Sequence, residues 1–230
     1  DERLHHHGSS TVKYGRGSEL AYDMAKKAAE LKRDVETILL QNQGASAGSD
    51  DVSARKTRSI LAYIKTNVDK DAGGANPVWT NIPTAVRTDG SLRNWTEVIL
   101  KSVMLKCYNA GAEPDTIMMP PALKQTFSSF SGVATKTIQQ TAVEAAAVIG
   151  AVDFYVSDFG TLAAVVNRFM RSRDALFLDF DFCKVAFLRP FFTKPLAVTG
   201  DAEKRLLLGE YGLKITNEAA LGLATDLQPV

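Results

Sequence analysis

Hydrophobic positions along this chain recur first at helical spacing and later at strand spacing. From Ser18 to Gln41, Leu20, Met24, Ala28, Leu31, Val35, Ile38 and Leu39 return every three or four residues, which predicts one long amphipathic helix that Ser18 can cap. A helix of about 22 residues is roughly 33 Å long, a spine rather than a member of a compact bundle. Gly44 and Gly48 end it and open a loop. Ile60, Leu61 and Ile64 then form a short apolar patch that fits a strand or a helical turn. Residues 69 to 90 are rich in Gly, Asn, Asp, Thr and Pro, with Trp79 as the one large anchor, and read as a linker or long loop. A second helix is predicted from Ser91 to Tyr108, with Leu92, Trp95, Val98, Ile99, Ser102, Val103 and Leu105 weighted to one face and Gly111 placed to stop it. Asp115 to Met119 reads as a short buried strand. Pro120 and Pro121 cannot extend its ladder but can open a helix over 122 to 130. Residues 131 to 147, rich in Thr, Gln and Ala, fit either a helix or a loop. Beyond Val152 the period drops toward two and β-branched and aromatic residues rise, so strands run to the end, the final pair near 205 to 216 and 219 to 224. Gly209 and Gly212 interrupt the first of these and predict a bulge or a close backbone approach.

Composition narrows what such a chain can do. At 230 residues it can bury roughly 70% of its unfolded surface, so a real core is available without disulfides. Lys and Arg number 27 against 26 Asp and Glu, which leaves no global field to draw the molecule to nucleic acid or an anionic membrane; any DNA contact has to be local. Cys107 and Cys183 lie far apart in apolar contexts without CxxC spacing and read as free buried thiols. No run of 18 apolar residues occurs and residues 1 to 17 lack a signal-peptide apolar stretch, so a soluble protein made in a cytoplasm is expected, with no membrane partner. His5, His6 and His7 in that polar lead have no second ligand group beside them and read as a tag remnant or a solvated terminus.

No catalytic constellation assembles from the remaining residues. Asp158-Phe159-Gly160 matches the metal-binding tripeptide of protein kinases, but the glycine-rich loop, the strand lysine and the HRD sequence are missing, so it reads as a turn between strands. Neither GxGxxG nor GxxxxGK[ST] occurs, and the three histidines of the chain all stand in the lead, which leaves the body without a histidine base. Asp179 and Asp181 are two apart on an expected strand and would share a face, as a cation site or an acid/base pair needs; a solvated strand face alternating with Leu178, Phe180 and Phe182 is the plainer reading. Lys26, Lys27, Lys32 and Arg33 form the densest basic cluster. Acids are interleaved with them, which suits a helix face turned to a protein partner better than a nucleic-acid site. No catalytic residue, metal ligand or cofactor is expected.

Several phrases, taken in order, carry a resemblance: GRGSELAYDMAKKAAELKRDVETILLQNQG at 15 to 44, GAEPDTIMMPPALKQTFSSF at 111 to 130, then YVSDFG, NRF, LRPF, TGDAEKR and ITNEAA. Over residues 15 to 227 the chain resembles tailed-bacteriophage major capsid proteins of the Johnson, or Hong Kong 97-like, fold. The resemblance implies an α+β fold with a long spine helix, a peripheral domain and an axial domain. It divides the chain into a lead (1–17), a peripheral domain with the spine helix (18–80), an axial domain (81–200) and returning peripheral strands (201–230). Such proteins ordinarily carry an N-terminal arm and an extended-loop hairpin before the spine helix, and most of both is expected to be missing here. The implied function is self-assembly into pentamers and hexamers of an icosahedral shell around the phage double-stranded DNA, with synthesis in the host bacterial cytoplasm. The implied partners are copies of the chain, then portal, scaffold or maturation protease, decoration proteins and DNA without sequence specificity. An encapsulin-like compartment around an enzyme cargo uses the same fold and stands as the alternative. Besides the four basic residues, Trp79 and Phe127 are expected as apolar loop anchors between subunits, although Trp79 fits equally well as an anchor within its own subunit.

Overall fold

The structure is a computed structural model that describes residues 19–49, 52–78, 84–130, 154–197 and 204–229. In chain order the elements are α1 (Glu19–Leu40), α2 (Ile60–Tyr63), β1 (Val68–Asp69), β2 (Arg93–Asn94), α3 (Glu97–Asn109), β3 (Thr116–Met119), α4 (Pro121–Ser128), β4 (Phe154–Ser157), β5 (Gly160–Val166), β6 (Ala175–Leu178), β7 (Cys183–Pro195), β8 (Arg205–Ile215), β9 (Gly222–Ala224) and β10 (Leu227–Gln228), with a 3₁₀ turn at Glu218–Ala220. The α+β mixture is the one expected. Ser18, Trp79, the histidine run and residues 131–147 lie outside the described residues.

The chain divides into two compact units, one of residues 1–38 with 185–212 and one of 39–184 with 213–230. In the first, the predicted stripe of α1 is recovered: Leu20, Met24, Ala28, Leu31, Val35 and Ile38 are half-buried while Ala21, Tyr22, Ala25 and Ala29 are exposed. β7 and β8 pair as a two-stranded sheet. Near its tip the Leu196 amide donates to the Lys204 carbonyl at 2.9 Å, and across its middle Arg189 holds Glu210 in a two-pronged ion pair. Gly209 has the close approach that its place in a strand predicts, because the Phe191 ring occupies the space a Cβ would need.

The second unit is organised by a six-stranded mixed sheet in the order β1-β9-β6-β3-β5-β4. β1 with β9 and β3 with β5 run parallel, whereas β9 with β6, β6 with β3 and β5 with β4 run antiparallel. The register assigns the two faces. Ala224, Ala175, Phe177, Ile117, Met119, Leu162 and Tyr155 point to one side and meet Ile99, Leu100, Val103, Met104 and Cys107 of α3 and Leu123 and Phe127 of α4 in the larger core. Val68, Leu223, Leu176, Leu178 and Met118 point to the other, against Ile60, Leu61, Ile64 and Leu40. Two cores on one sheet explain why β6 is buried at all four positions and reads as a continuous apolar run.

Several local expectations meet their physical limits here. The patch at 60–64 is a helical turn. The helix expected from Ser91 begins only at Glu97, because Arg93 and Asn94 pair in parallel with Leu227 and Gln228 and the backbone leaves that ladder through Thr96 at the N-cap. Its buried face also differs from the expected one: Val98 and Leu105 are exposed, and Leu100, Met104 and Cys107 take the core. The stop is as expected, since Gly111 at φ +79 lets its own amide reach the Tyr108 carbonyl and that of Ala112 reach Cys107, a Schellman close. Pro121 opens α4 from its first position. In their described parts, residues 69–90 are a tied loop rather than a loose linker, with Ala75 bridged to Thr88 and the Arg87 guanidinium buried and donating to Asn76 Oδ1 at 3.0 Å and the Ile64 carbonyl at 3.1 Å.

Candidate functional site

Among the described residues, those that sequence reasoning offered for chemistry do not assemble into a reactive centre. Asp179 and Asp181 are not on a strand. β6 ends at Leu178, and the Asp181 amide donates to Asp179 Oδ1 at 2.9 Å, an Asx turn that leads into β7. Asp158 and Phe159 form the two-residue turn between β4 and β5, where Gly160 takes φ +137 and Ser157 Oγ closes the turn on the Gly160 carbonyl. Cys107 lies in the larger core, where burial pushes its thiol up to about 12, and it packs as a small apolar residue. Cys183 is half-buried, its thiol also raised by burial. Among the described residues no group of His, Cys, Asp and Glu could hold a metal ion, and no helix is long and apolar enough to cross a membrane.

Charge is instead concentrated in two networks of the second unit that sequence spacing did not show. Asp226, fully buried and at φ +63, accepts from the Gly90 amide at 2.8 Å, the Asp71 amide at 3.3 Å and Arg173 at 2.8 Å. Beside it Asp174 accepts from Thr225 Oγ1 at 2.5 Å and faces Arg171 at 3.2 Å, while Asp89 bonds Arg171. Burial holds the Asp174 carboxyl above the usual carboxylate range despite Arg171 and the Thr225 hydroxyl. The other network centres on Asp69, which meets Arg93 at 2.6 Å, Ser102 at 2.6 Å and Lys106 at 3.7 Å. Its burial pushes the carboxyl up, but the Ser102 and Arg93 hydrogen bonds and the cations of Arg93 and Lys106 outweigh that and leave it lowered. The first network fastens loops to one another and the second ties β1 to β2 and α3, and the partners are mostly more than thirty residues apart in sequence.

The expected contact residues separate into three cases. Lys26, Lys27, Lys32 and Arg33 are brought onto one helix, where Lys27 pairs with Glu30 at 2.8 Å, Lys26 lies 4.3 Å from the Tyr22 ring centroid and Arg33 Nε donates to the Ala29 carbonyl. Phe127 is not an exposed loop residue. It sits on α4, almost wholly inside its own core beside Phe130 and Tyr155, so it has no area left for a neighbouring chain. Trp79 lies outside the described residues. Apolar side chains that do face outward include Val185, Phe187, Leu188 and Phe192 on β7, and Val98, Leu105, Tyr108, Phe154 and Val156 around α3 and β4. The sequence signal for the latter group was present: α3 is apolar on more than the one stripe its core needs.

A chain whose described residues leave apolar side chains outward on both units matches proteins whose work is assembly. It is 27% identical to the major capsid protein of Escherichia phage Phieco32 over 94% of this chain and 70% of that one. Its fold is similar to a cryo-EM structure of the holo-SrpI encapsulin complex from Synechococcus elongatus PCC 7942 (TM-score 0.56, 10% identity, 99% of this chain and 73% of that one). It is equally similar to a solved chain of Mycobacterium phage Cain (TM-score 0.55, 11% identity, 100% and 72%). At such identities the structures carry the Hong Kong 97-like fold alone, and the encapsulin likeness says nothing about a cargo. The sequence pattern of one family does more, because it runs through both compact units, from residue 8 to residue 228. On that match the chain belongs to the SU10 major capsid protein family, the shell-forming structural proteins of bacteriophage.

Proposed function

We propose that copies of this chain tile into pentamers and hexamers and close an icosahedral shell around a double-stranded phage genome. The observation that carries this reading is the family match across residues 8–228. The physics of the surface supports it. A protein–protein contact of ordinary size buries about 1,600 Å² in total and is modest singly, but each subunit repeats it around a ring and between rings, so multiplicity supplies the strength of the shell. Near balance of 27 basic and 26 acidic residues keeps tiles from repelling one another at close packing.

In this reading α1 is the spine helix of a peripheral domain that takes in residues 18–80 and the returning strands of 201–230, and residues 81–200 supply most of the axial domain. Lys26, Lys27, Lys32 and Arg33 then act as register devices toward a neighbouring subunit. DNA is held without sequence specificity, the chain acts without catalysis, and synthesis takes place in the bacterial cytoplasm. Portal, scaffold, maturation protease and decoration proteins are its further partners. Negative-stain electron microscopy of the purified protein tests the proposal: rings, sheets or closed shells are expected, and uniform particles of single-subunit size at all concentrations would overturn it.

A further inference from the structure

α3 carries a second apolar stripe that the described residues do not cover. Val98, Lys101, Leu105 and Tyr108 follow one another at spacings of three and four on the helix, and Val98 is 75% exposed and Leu105 46%. The stripe forms one wall of a groove of about 310 Å³. The other wall is the β4–β5 hairpin, through Tyr155, Val156, Ser157, Asp158 and Phe159, with Val156 itself 50% exposed. Tyr108 closes one end by packing on Phe159, ring centroids 5.0 Å apart. β4 is also the outermost strand of the six, and among the described residues no strand pairs with its far edge. Phe154, 64% exposed, stands on that edge on the sheet face that is buried farther in, at β6 and β9. Phe154–Ser157 contains no lysine and no proline, two residue types that commonly guard such an edge.

We propose that this groove receives an extended, uncharged segment of a second copy of the chain, which adds a strand to β4 and sets its side chains against the α3 stripe. The inference rests on the shell-forming role and names a surface for it. Three features select that occupant. The stripe's one cation, Lys101, is already paired with Glu97 at 2.7 Å, so nothing in the wall calls for a nucleic acid or an acidic partner. The outward parts of Val98, Leu105 and Tyr108 on the α3 side amount to roughly 300 Å², and those of Phe154 and Val156, which point to the opposite face of β4, add about 200 Å²; a strand added to β4 meets both faces, and together these exceed half of the about 800 Å² that each side of a standard interface supplies. A groove on one copy filled by a different segment of the next is a heterologous contact, the kind that closes rings.

The test compares wild type with Val98→Glu and Val156→Lys by sedimentation velocity over a concentration series, with thermal melting as the control for folding. Both substituted side chains are exposed, so melting is expected within about 2 °C of wild type, while self-association weakens at least tenfold. Should the charged variants misfold, Val98→Ser with Val156→Thr serves the same comparison. Variants that fold and associate as wild type does would overturn the groove and leave the capsid reading standing. A wild type that stays monomeric at every concentration would overturn both.

Discussion

Gly209 shows how a single absent side chain sets the packing of a strand. A Cβ built there would lie 2.4 Å from Cδ1 and 2.6 Å from Cε1 of Phe191, and that ring is held edge-on to Phe187 at 5.7 Å. Gly209→Ala should therefore destabilise by about 1–3 kcal/mol, against the usual gain from stiffening the unfolded chain. Adding Phe191→Leu should recover part of the loss, and chemical denaturation of the single and double variants measures both. The close approach was legible from a glycine in a strand pattern; its partner was not, because sequence gives no cross-strand register. Phe127 illustrates the converse. Expected as a loop anchor between subunits, it is buried instead; its spacing of four from Leu123 was the overlooked signal of a buried helical face, and the aromatic neighbours that complete that burial are Phe130 and Tyr155 on β4.

At the scale of elements, the tightest joint is the turn that carries Asp226 between β9 and β10. Its buried carboxylate binds the loop after β1 through Asp71, the loop before β2 through Gly90 and the approach to β6 through Arg173. Asp226→Ala leaves Arg173 without its nearest carboxylate and two amides unmet, which should cost about 3–5 kcal/mol. Asp226→Asn keeps an oxygen acceptor and tolerates the left-handed backbone, and should cost clearly less; thermal melting of the two ranks them. α1, β3, α4 and the Asp158–Phe159 turn could be read ahead because periodicity and turn chemistry are local. The start of α3 could not, since β2 forms only by pairing with β10 more than a hundred residues away, and neither could the turn at Asp179 and Asp181, whose alternating pattern mimics a strand.

For the whole molecule, acid is the condition that separates the two networks. Asp69 is held below its ordinary value, so its contribution is present above the unfolded carboxylate pKa of about 3.9 and is lost as pH falls through the lower folded value. Asp174 is held above, so its contribution is present below that unfolded value and is lost as pH rises through the higher folded one. Asp69→Asn should accordingly flatten the acid limb of stability, and Asp174→Asn should flatten the limb at higher pH. Melting temperatures from pH 3 to 8 for wild type and both variants check the two signs together. Neither network was visible in composition, because a net charge of +1 averages over the places where charge is concentrated.

The central sheet also fixes a timetable. β9 lies between β1 and β6, so a nascent chain that has already made its helices and hairpins still has an open seam until the ribosome has passed Ala224. A chain that stops short of Ala224 therefore leaves β1 and β6 unjoined and both cores open along that seam.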